Sequence, residues 1–553
     1  MERLDAVLIA TDLYREVPGA GIRDKIRLSV QDHPATMEFL LEYFRQGKDP
    51  DQAARQLSEQ RRQRHPLPLN GPYLHQYLGR RGLKTELIPF FSLHKDRLLD
   101  LLRNRPRAVV ISTTFFPFSS QIEAIAAFVK ENAPDIPVIA GGIQIWKSYQ
   151  ILGLQKKGII TEDIRESVIR DHYLLDLSRP SLLDILVVSD RGEYTLSQLL
   201  QRIRCGDDYS RMENIAYFAR GKWNLNPATD EPNNSEFESM DWSQLPSEFT
   251  KEEIPVHFGS GCPFRCEFCD FCKLRPVRRQ PLESLIEEIR SIPLINGVRQ
   301  VFFTDDNLFS SMKQLKEFCK KLINAKLALR WRAFVRVDTI TEETAELLSR
   351  CGCWECLLGV ESGDEEILSR MNKKTTPEVI LRAVSCLNQV GINTQSTILV
   401  GFPGETGRSI QNTIDLLNAY PTGGPAIHVY YPFFFLVTPL ASVASPKARA
   451  KYALKGYLDK WTHATMNSKQ AAEAVQRICD SVKMEISPIY HGERVVPWLS
   501  PEKQKRVIFL RNKINRIQRG IYPAEPEEIL WKEMEGIFTA PVGNDHIVRQ
   551  SSA

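Results

Sequence analysis

The sequence of 553 residues lacks the marks of a membrane, secreted or disordered protein. No stretch approaches about eighteen uncharged apolar residues, so no membrane-spanning helix is expected. The start, MERLDAVLIATD, has no basic segment followed by an apolar run and a small-residue cleavage site, so no signal peptide is expected. The 72 Lys and Arg residues nearly balance the 68 Asp and Glu residues, and the net charge of +4 gives no argument for a nucleic-acid partner. With 42% hydrophobic and 25% charged residues, the composition is that of a globular protein.

Cysteine is absent from the first 204 residues, although the chain has 11 cysteines. Four of them lie between Cys262 and Cys272, and three more lie between Cys351 and Cys356. A secreted disulfide protein would spread its cysteines along the chain. Tight groups of cysteines in a chain without a signal peptide indicate metal binding in a reducing compartment, so we expect a cytoplasmic protein.

The first 204 residues alternate short apolar runs with helical patterns. The apolar runs are bounded by polar or turn residues, as buried parallel strands are, and they cover residues 6–10, 87–91, 108–112, 137–140 and 184–188. This alternation predicts an open α/β sheet, and five strands suit the flavodoxin-like (Rossmann-type) order. An insertion at about residues 19–64 is predicted to form two helices.

A second α/β region follows a change in composition. Residues 205–252 are rich in Pro, Asn, Ser, Asp and Glu, and they are predicted to form a linker or a small irregular hairpin region. Strand and helix patterns then alternate again, with strands predicted at 254–258, 300–303, 331–335, 355–360, 394–400 and 426–431. Six such units predict a partial (β/α)6 TIM-type barrel over residues 253–440, with its chemistry at the carboxyl ends of the strands. Residues 441–553 are predicted to form a helical C-terminal region.

The segment directly after the first predicted barrel strand is GSGCPFRCEFC, residues 259–269. Its cysteines, Cys262, Cys266 and Cys269, have the spacing C-x3-C-x2-C, which suits three corners of a four-iron cluster. Three ligands for four irons leave one iron open, as at catalytic metal sites. Cys272 follows at a further x2 spacing, so a closed four-thiolate site is the alternative. That alternative predicts structural zinc or an electron-transfer cluster.

The pattern C-x3-C-x-Phe-C after a barrel strand resembles the radical S-adenosylmethionine (SAM) superfamily. Further segments resemble the later motifs of that superfamily in order: FFTDDN at 302–307, Arg332 with RVD at 336–338, GVESG at 359–363 followed by MNK at 371–373, and GFPGET at 401–406. The resemblance implies a [4Fe-4S] cluster on the cysteine triplet, and SAM that is cleaved at the open iron to a 5′-deoxyadenosyl radical. It also implies a SAM site formed by Phe268, Asp305, Arg336, Glu361 and Gly401.

Two other groups of residues near these motifs allow more than one interpretation. Cys351, Cys353 and Cys356 suggest an auxiliary cluster, but the pattern favours small apolar residues of a buried strand. Strand alternation also predicts that Cys353 and Cys356 lie on opposite faces. The basic residues after the triplet could neutralise an anionic substrate, but a solvated face is favoured for Lys273, Arg275, Arg278 and Arg279.

Small residues follow the later strands of the first region. In an open α/β sheet the ligand lies outside the carboxyl ends of the strands. The segments at 106–146 and 190–196 (DRGEYTL) resemble cobalamin-binding domains fused ahead of radical SAM barrels. The resemblance covers about residues 5–204 and implies a cobalamin site formed by Ser112, Thr113, Gly141, Gly142, Gly192 and Glu193. The D-x-H-x-x-G motif, which supplies a cobalt ligand in many cobalamin proteins, is absent, so the lower ligand stays open. A domain that keeps the fold without a corrinoid is the alternative.

Together the resemblances imply a cobalamin-dependent radical SAM C-methyltransferase that acts on an unactivated carbon of a small molecule or peptide. They imply an electron donor such as flavodoxin or ferredoxin and no nucleic-acid partner. Two other functions stay open: a ring-forming (cyclase-type) radical SAM enzyme with the same architecture, and, for a closed cluster, an iron–sulfur electron carrier or redox sensor. Methylthiotransfer is disfavoured, because it needs three cysteines for an auxiliary cluster in the N-terminal domain and residues 1–204 contain none.

Overall fold

The computed structural model describes residues 3–12, 28–64, 68–116, 118–160, 162–232, 238–246, 253–488 and 499–539. The chain divides into two compact units, each built from several stretches of sequence. The first unit comprises Met1–Glu16, Pro66–Asp306 and Val437–Leu458, and the second comprises Val17–His65, Asn307–Leu436 and Asp459–Ala553. Within the described ranges, no helix combines the length and apolar character needed to cross a membrane.

A seven-stranded sheet forms the centre of the first unit. In spatial order its strands are Thr85–Phe90, Ala6–Thr11, Val109–Ser112, Val138–Gly141, Ile185–Val187, Ile215–Ala219 and Lys222–Leu225. The first five strands pair in parallel. Numbered along the chain, these five lie in the order 2-1-3-4-5, which is the flavodoxin-like order expected from the sequence.

Both faces of this sheet are covered, and this explains its near-continuous apolar strands. The strand Ala6–Thr11 is buried at all six positions. Val7 and Ile9 belong to one hydrophobic cluster, whereas Leu8 belongs to another, as the two-residue period of a strand requires. The helices of this part of the unit are Asn70–Gly79, Lys95–Arg103, Ser119–Asn132, Ile143–Lys156, Glu162–Asp171 and Glu193–Cys205.

The region predicted as a linker or irregular hairpin contains a regular hairpin. Its strands, Ile215–Ala219 and Lys222–Leu225, extend the sheet in the antiparallel direction from Ile185–Val187. The two turn residues, Arg220 and Gly221, have φ values of 54° and 76°, as a tight hairpin turn with a right-handed twist requires. The Arg-Gly pair lacks the Asn or Asp that usually marks such a turn in a sequence.

The first unit also contains the first two strands predicted for the barrel. Ile254–Val256 pairs in parallel with Arg299–Phe303, and the helix Leu282–Ser291 lies between them in the sequence. A short hairpin of Gly259–Ser260 and Arg278–Arg279 encloses the cysteine segment. A helical turn, Phe271–Leu274, follows the cysteine triplet.

A parallel sheet forms the centre of the second unit. Its strands, in spatial order, are Leu329–Val335, Cys353–Glu361, Asn393–Val400, His428–Phe434 and Ser487–Pro488. The helices between the first four strands are Glu342–Arg350, Glu365–Arg370, Pro377–Gln389 and Gly407–Asn418, and Met312–Asn324 precedes the first strand. The first four strands were predicted from the sequence, whereas the pairing of Ser487–Pro488 was not.

The N-terminal insertion belongs to the second unit. Its described part contains two helices, Met37–Arg45 and Pro50–Arg64, as expected, while residues 19–27 of the predicted insertion lie outside the described residues. No sequence pattern indicated where these helices pack. The C-terminal region is helical at Pro446–Tyr452, Ser468–Ser481, Pro501–Gln518 and Glu527–Thr539.

The insertion and the last two helices share one hydrophobic cluster. Leu40 and Phe44 of the insertion are buried in it together with Ile514 and Phe538 of the C-terminal helices. The ring of Phe44 stacks on that of Phe538 at a centroid distance of 5.7 Å. Two stretches that are remote in the sequence therefore depend on each other for burial.

Replacing Phe44 by Ala should destabilise the second unit by about 3–5 kcal/mol, because it leaves a cavity in this shared cluster. Urea denaturation of the full chain measures the effect as a lower midpoint. Ile529 lies on the helix Glu527–Thr539 and is 64% exposed, so Ile529→Ala is the matched control and should change the midpoint little. Equal midpoints for Phe44→Ala and the unchanged protein would contradict this account of the insertion.

Candidate functional site

Two consecutive carboxylates hold the backbone from which the cysteine segment begins. Asp305 Oδ2 accepts a hydrogen bond from Phe258 N at 3.0 Å, and Asp306 Oδ2 accepts one from Gly261 N at 3.2 Å. Parallel pairing of Ile254–Val256 with Arg299–Phe303 brings these carboxyl ends to one edge. Gly261 has a φ of 72°, and a Cβ there would lie 2.5 Å from Pro276 O, so only glycine fits this approach.

The cysteine triplet lies on the loop that starts at this anchor. Cys266 is buried, Cys262 and Cys269 are half-buried, and Cys269 N donates to Cys266 O at 3.1 Å. Burial raises the pKa of the Cys269 thiol to about 12, so this thiol stays protonated until a metal displaces the proton. Three thiols on one loop are the donor set of an iron–sulfur cluster, in which each thiolate binds a different iron.

Neighbouring side chains complete the description of this loop. Phe268 is half-buried, and so is Cys272, where burial again raises the pKa of the thiol. Across the described ranges, no three His, Cys, Asp or Glu side chains are placed to hold a single metal ion. Asp305 is buried, and burial raises its pKa to about 7. Its second oxygen, Oδ1, has no hydrogen-bond partner among the described residues, so this carboxylate retains an acceptor for a ligand.

The residues after the triplet are bonded to the carboxyl end of the flavodoxin-like sheet in the first unit. Lys147 Nζ lies 2.6 Å from Asp270 Oδ2, and Trp146 Nε1 donates to Leu274 O at 2.8 Å. Both side chains come from the helix that follows the strand Val138–Gly141. These bonds place the cysteine loop against the sheet edge where the sequence predicts a ligand.

The basic residues after the triplet do not form a common solvated face, so that expectation was wrong. Arg278 Nη1 donates to Asp190 Oδ2 at 2.9 Å, and Arg279 Nη1 donates to Ser260 O at 3.0 Å. The hairpin with Gly259–Ser260 turns these two side chains inward, whereas Lys273 is exposed. The Arg278–Asp190 pair is a further bond between the loop region and the sheet edge.

Four of the residues expected to bind cobalamin lie together at this sheet edge. The hydroxyl of Thr113 donates to Gly141 O at 2.9 Å, and Ser112 Oγ accepts from Asn70 Nδ2 at 2.7 Å. Gly142 has a φ of 111°, and a Cβ there would lie 3.2 Å from Thr113 N. Asn70 also donates to Ala10 O and ties two strand ends together, a role that its place at the start of a helix did not reveal.

Gly192 and Glu193 begin the helix that follows the fifth strand. Glu193 has a side chain that is 13% exposed, and burial raises its pKa to about 7 although Arg191 Nε lies 3.8 Å away. Thr195 donates to the buried carboxylate of Glu231 through both its backbone N, at 3.1 Å, and its hydroxyl, at 2.6 Å. Glu231 lies in the predicted linker, where no local pattern marks it as a helix cap.

In the second unit, Lys373 connects two of the residues expected to bind SAM. Lys373 Nζ donates to Glu361 Oε1 at 2.9 Å, and the backbone oxygen of Lys373 accepts from Arg336 Nη2 at 2.8 Å. Arg336 also makes a bidentate pair with Asp338, and Thr397 donates to Glu361 at 3.2 Å. The φ of Glu361 is 68°, and such strain in a non-glycine residue is concentrated at functional sites.

Gly401 is held through both its backbone groups. Its N–H donates to the carboxylate of Glu405, and its C=O accepts from His463 Nε2 at 3.0 Å. Gly401 has a φ of 93°, and a Cβ there would lie 2.6 Å from the ring of Trp461. This contact explains the need for glycine at the turn, and it places Trp461, not a nucleotide, on the Cβ side of Gly401.

The second group of cysteines is buried, as the sequence favoured, but one detail was wrong. Cys353 Sγ lies 3.7 Å from Cys356 Sγ, so the two thiols share a face. The register jumps between the pairs Trp331–Cys353 and Arg332–Glu355, which places a bulge at Trp354 and breaks the alternation. Cys351 Sγ contacts Cys319 Sγ at 3.3 Å.

Residues 256–417 match the family model described as the radical SAM superfamily. The match covers 162 of the 553 residues and identifies this segment as a radical SAM domain. The matched range starts in the strand before the cysteine loop and extends through the segments of Asp305, Arg336, Glu361 and Gly401. The resemblance stated from the cysteine triplet and the ordered strand-end motifs is therefore confirmed.

The chain is also similar to named relatives over somewhat more than half of its length. It is 25% identical over 332 residues to an uncharacterized methyltransferase of Pyrococcus horikoshii, covering 57% of this chain and 69% of the relative. It is 26% identical over 332 residues to the anaerobic magnesium-protoporphyrin IX monomethyl ester cyclase of Rubrivivax gelatinosus. That match covers 58% of this chain and only 56% of the cyclase.

The fold of the enzyme is similar to that of the radical SAM methyltransferase TsrM of Kitasatospora setae, whose solved structure has cobalamin and a [4Fe-4S] cluster bound. The match has a TM-score of 0.58 and 15% sequence identity, and it covers 97% of this chain and 98% of TsrM. The likeness extends over both units and supports the mixed α/β architecture expected from the sequence.

The pKa of Glu405 predicts how the stability of the enzyme depends on pH. Burial raises this pKa from its ordinary 4.5 to about 8, so the folded chain holds a proton that the unfolded chain releases above pH 4.5. The stabilisation from the neutral carboxyl is complete below the unfolded pKa and is lost as pH rises to about 8. Glu405→Gln keeps an acceptor for Gly401 N without the titration, so its urea midpoint should fall less between pH 5 and about 8.

Glu366 provides the matched control for this measurement. Its carboxylate is exposed and pairs with Arg370 one helical turn away, so Glu366→Gln should follow the pH dependence of the unchanged protein. Identical pH profiles for Glu405→Gln and the unchanged protein would refute a proton on Glu405.

Proposed function

We propose that this chain is a cobalamin-dependent radical SAM methyltransferase that transfers a methyl group to an unactivated carbon. The observation that carries the proposal is the bonding, within the first unit, of the cysteine loop to the carboxyl end of a flavodoxin-like sheet. The pairs Lys147–Asp270 and Arg278–Asp190 make this connection. The residues expected to hold the cluster and those expected to hold the corrin then belong to one compact body.

In this proposal Cys262, Cys266 and Cys269 hold three irons of a [4Fe-4S] cluster, and Cys272 lies outside the ligand set. The residues proposed to bind SAM are Phe268 and Asp305 of the first unit and Arg336, Glu361 and Gly401 of the second. When bound, the cluster and SAM supply a 5′-deoxyadenosyl radical for hydrogen abstraction, and cobalamin supplies the methyl group.

The chain's own side chains have suitable chemistry for SAM, which carries an ammonium, a carboxylate and a ribose. The unpartnered oxygen of buried Asp305 is an acceptor for a hydroxyl or an amine. Arg336 and Glu361 are both buried and are held in place through Lys373, so their orientation is fixed before any ligand arrives. Pre-organised groups of opposite charge suit a zwitterion.

The sheet edge of the first unit suits a large flat ligand such as a corrin. Gly142 and Thr114 are half-buried just after two neighbouring strands, and neither has a large side chain. Phe115 is 39% exposed and lies three residues after the strand Val109–Ser112, and Tyr194 is 36% exposed at the start of the helix Glu193–Cys205. Exposed aromatic rings beside small residues favour an apolar ligand that would cover them.

His172 does not replace the missing cobalt-binding motif. It is buried, with Nδ1 3.2 Å from Ser148 Oγ and Nε2 3.4 Å from Tyr457 Oη, so both ring nitrogens are engaged within the protein. Burial lowers its pKa to about 3 and keeps the ring neutral. We therefore propose that cobalamin binds without an imidazole from this position.

The relatives support the methyl-transfer function and keep one alternative open. The relative from Pyrococcus horikoshii is named a methyltransferase, and TsrM is described as a methyltransferase with cobalamin and a cluster bound. The relative from Rubrivivax gelatinosus is named a cyclase, which favours ring formation as the second candidate. Methyl transfer from SAM to cobalamin separates the two functions, because a cyclase has no need of it.

The cluster assignment predicts different outcomes for the four cysteines of the loop. Cys262→Ala, Cys266→Ala and Cys269→Ala should each abolish bound iron and the formation of 5′-deoxyadenosine after anaerobic reconstitution, because each removes one iron ligand. Cys272→Ala is the matched control and should keep both near the level of the unchanged protein. Iron loss in Cys272→Ala equal to that of the other three would indicate a closed four-thiolate site.

The cobalamin assignment predicts a steric effect at the sheet edge. Thr114 is half-buried beside Gly142, and Thr114→Trp should occupy the space of the corrin ring while Thr114→Ser leaves it open. The Trp variant should lose cobalamin retained after gel filtration and the conversion of cobalamin to labelled methylcobalamin by methyl-labelled SAM. It should keep the formation of 5′-deoxyadenosine, since the cysteine loop is unchanged.

Two results would contradict this prediction. If the unchanged protein retains no cobalamin after reconstitution with an excess, the cobalamin part of the proposal fails. If it retains cobalamin and cleaves SAM but forms no labelled methylcobalamin, ring formation replaces methyl transfer as the proposed function.

A further inference from the structure

A short segment of the C-terminal region, Trp461–His463, packs on the turn that begins at Gly401. All of its contacts described here lie within the second unit. The matched radical SAM range ends at residue 417, so this segment lies outside it. It therefore adds to the turn a support that the family match does not include.

The segment contacts Gly401 at two places, its carbonyl oxygen and its Cα. His463 Nε2 lies 3.0 Å from Gly401 O, and the Trp461 ring fills the space where a side chain at Gly401 would be. The N–H of Gly401 donates to Oε2 of the buried Glu405 carboxyl group. With both backbone groups and the Cα fixed, the left-handed conformation of Gly401, with a φ of 93°, has no freedom to relax.

Trp461 is itself anchored to the neighbouring strand end. Its Nε1 donates to Phe435 O at 2.7 Å, and its ring lies 5.7 Å from the ring of Phe435. The Trp461 and His463 rings stack at 5.1 Å and are inclined by only 5°. The stack fixes the plane of the imidazole, so Nε2 is aimed at the Gly401 carbonyl without loss of rotamer freedom on ligand binding.

The hydrogen bonds of His463 define its tautomer. Nε2 donates to a carbonyl, and Nδ1 accepts from Thr465 N at 3.3 Å. A donor on one side and an acceptor on the other require the neutral ring, and burial lowers the pKa of His463 in agreement. Lysine or arginine has no acceptor and would not satisfy Thr465 N.

We propose that His463 is a positioning residue for SAM, which it serves by holding the Gly401 carbonyl and so the turn at the end of the strand Asn393–Val400. The inference rests on the proposed function, because the place of SAM at Gly401 is part of that proposal. It assigns a role in cofactor affinity to the C-terminal region, in which no functional motif was found. The predicted effect is on the binding of SAM and not on the later chemistry.

Two amide variants of different length test this role in the full chain. In His463→Gln the amide nitrogen reaches the position of Nε2, whereas in His463→Asn it stops near the position of Nδ1 and cannot reach Gly401 O. Formation of 5′-deoxyadenosine is measured against SAM concentration with reconstituted protein and dithionite as reductant. His463→Asn should raise KM for SAM about five- to tenfold, the usual effect of losing a hydrogen bond, with kcat within about twofold. His463→Gln should restore KM to within about twofold of the unchanged protein.

Hydrogen–deuterium exchange of the turn, measured without SAM, gives a second readout that does not depend on activity. Peptides containing residues 401–406 should exchange faster in His463→Asn than in His463→Gln, because only the latter keeps the carbonyl bond. This readout also applies where a variant binds its cluster poorly.

Several outcomes would overturn the inference. Equal KM values and equal exchange in the two variants would mean that the bond to Gly401 O does not position SAM. If KM is unchanged and kcat falls only in proportion to the amount of folded protein, His463 contributes to the stability of the fold and not to SAM binding. If the unchanged protein cleaves no SAM, both the proposed function and this inference fail. If both variants cleave SAM with the KM of the unchanged protein, only this inference fails.

Discussion

The candidate site depends on the hydrogen bonds by which Asp305 and Asp306 hold the backbone just before Cys262. A loop with three thiols has many conformations of similar energy, and a cluster can bind only those in which the thiols converge. Two carboxylates at the end of an adjacent parallel strand fix the backbone N–H groups of Phe258 and Gly261, and thereby the point from which the loop starts. Ordering the loop costs conformational entropy. The strand pairing offsets part of this cost, so that metal binding does not have to offset all of it. The bonds from Asp270 and Arg278 to the sheet edge then hold the end of the loop.

The sequence predicted those parts of the structure that local patterns determine. The parallel strands were found because burial on both faces requires short apolar runs, and the cysteine loop was found because its ligand spacing is local. The contributions of Asn70, Glu231 and His463 were missed, since each acts on a backbone group far away in the sequence. Nothing in the neighbourhood of Glu231, for example, indicates that Thr195 needs its carboxylate. The bulge at Trp354 was missed for a related reason, because a register shift depends on the partner strand.

The charged residues of the second unit illustrate why residue type alone does not define a binding site. Arg336, Glu361 and Lys373 are all buried, and each has a partner of opposite charge or a backbone oxygen within 3.1 Å. Removing these charged groups from water costs free energy, and their close pairing offsets most of that cost. The main effect of the network is therefore to fix the positions of its side chains. A ligand that meets this network finds groups whose positions are already set. The same groups unpaired would be flexible and would lower affinity through their ordering cost.

Buried carboxyl groups connect the stability of the chain with the state of the site. Asp305, Glu193 and Glu405 lie at or just beyond strand ends, and burial raises their pKa values to about 7, 7 and 8. At neutral pH burial therefore keeps a substantial fraction of each group in its neutral form. A ligand that brings hydrogen-bond donors or positive charge to such a carboxyl favours its ionised form and stabilises the folded chain by mass action. For Asp305, whose second oxygen lacks a partner among the described residues, occupation of the site also satisfies a buried acceptor. A donor that reaches Asp305 would therefore stabilise the fold at a position where a cofactor is expected.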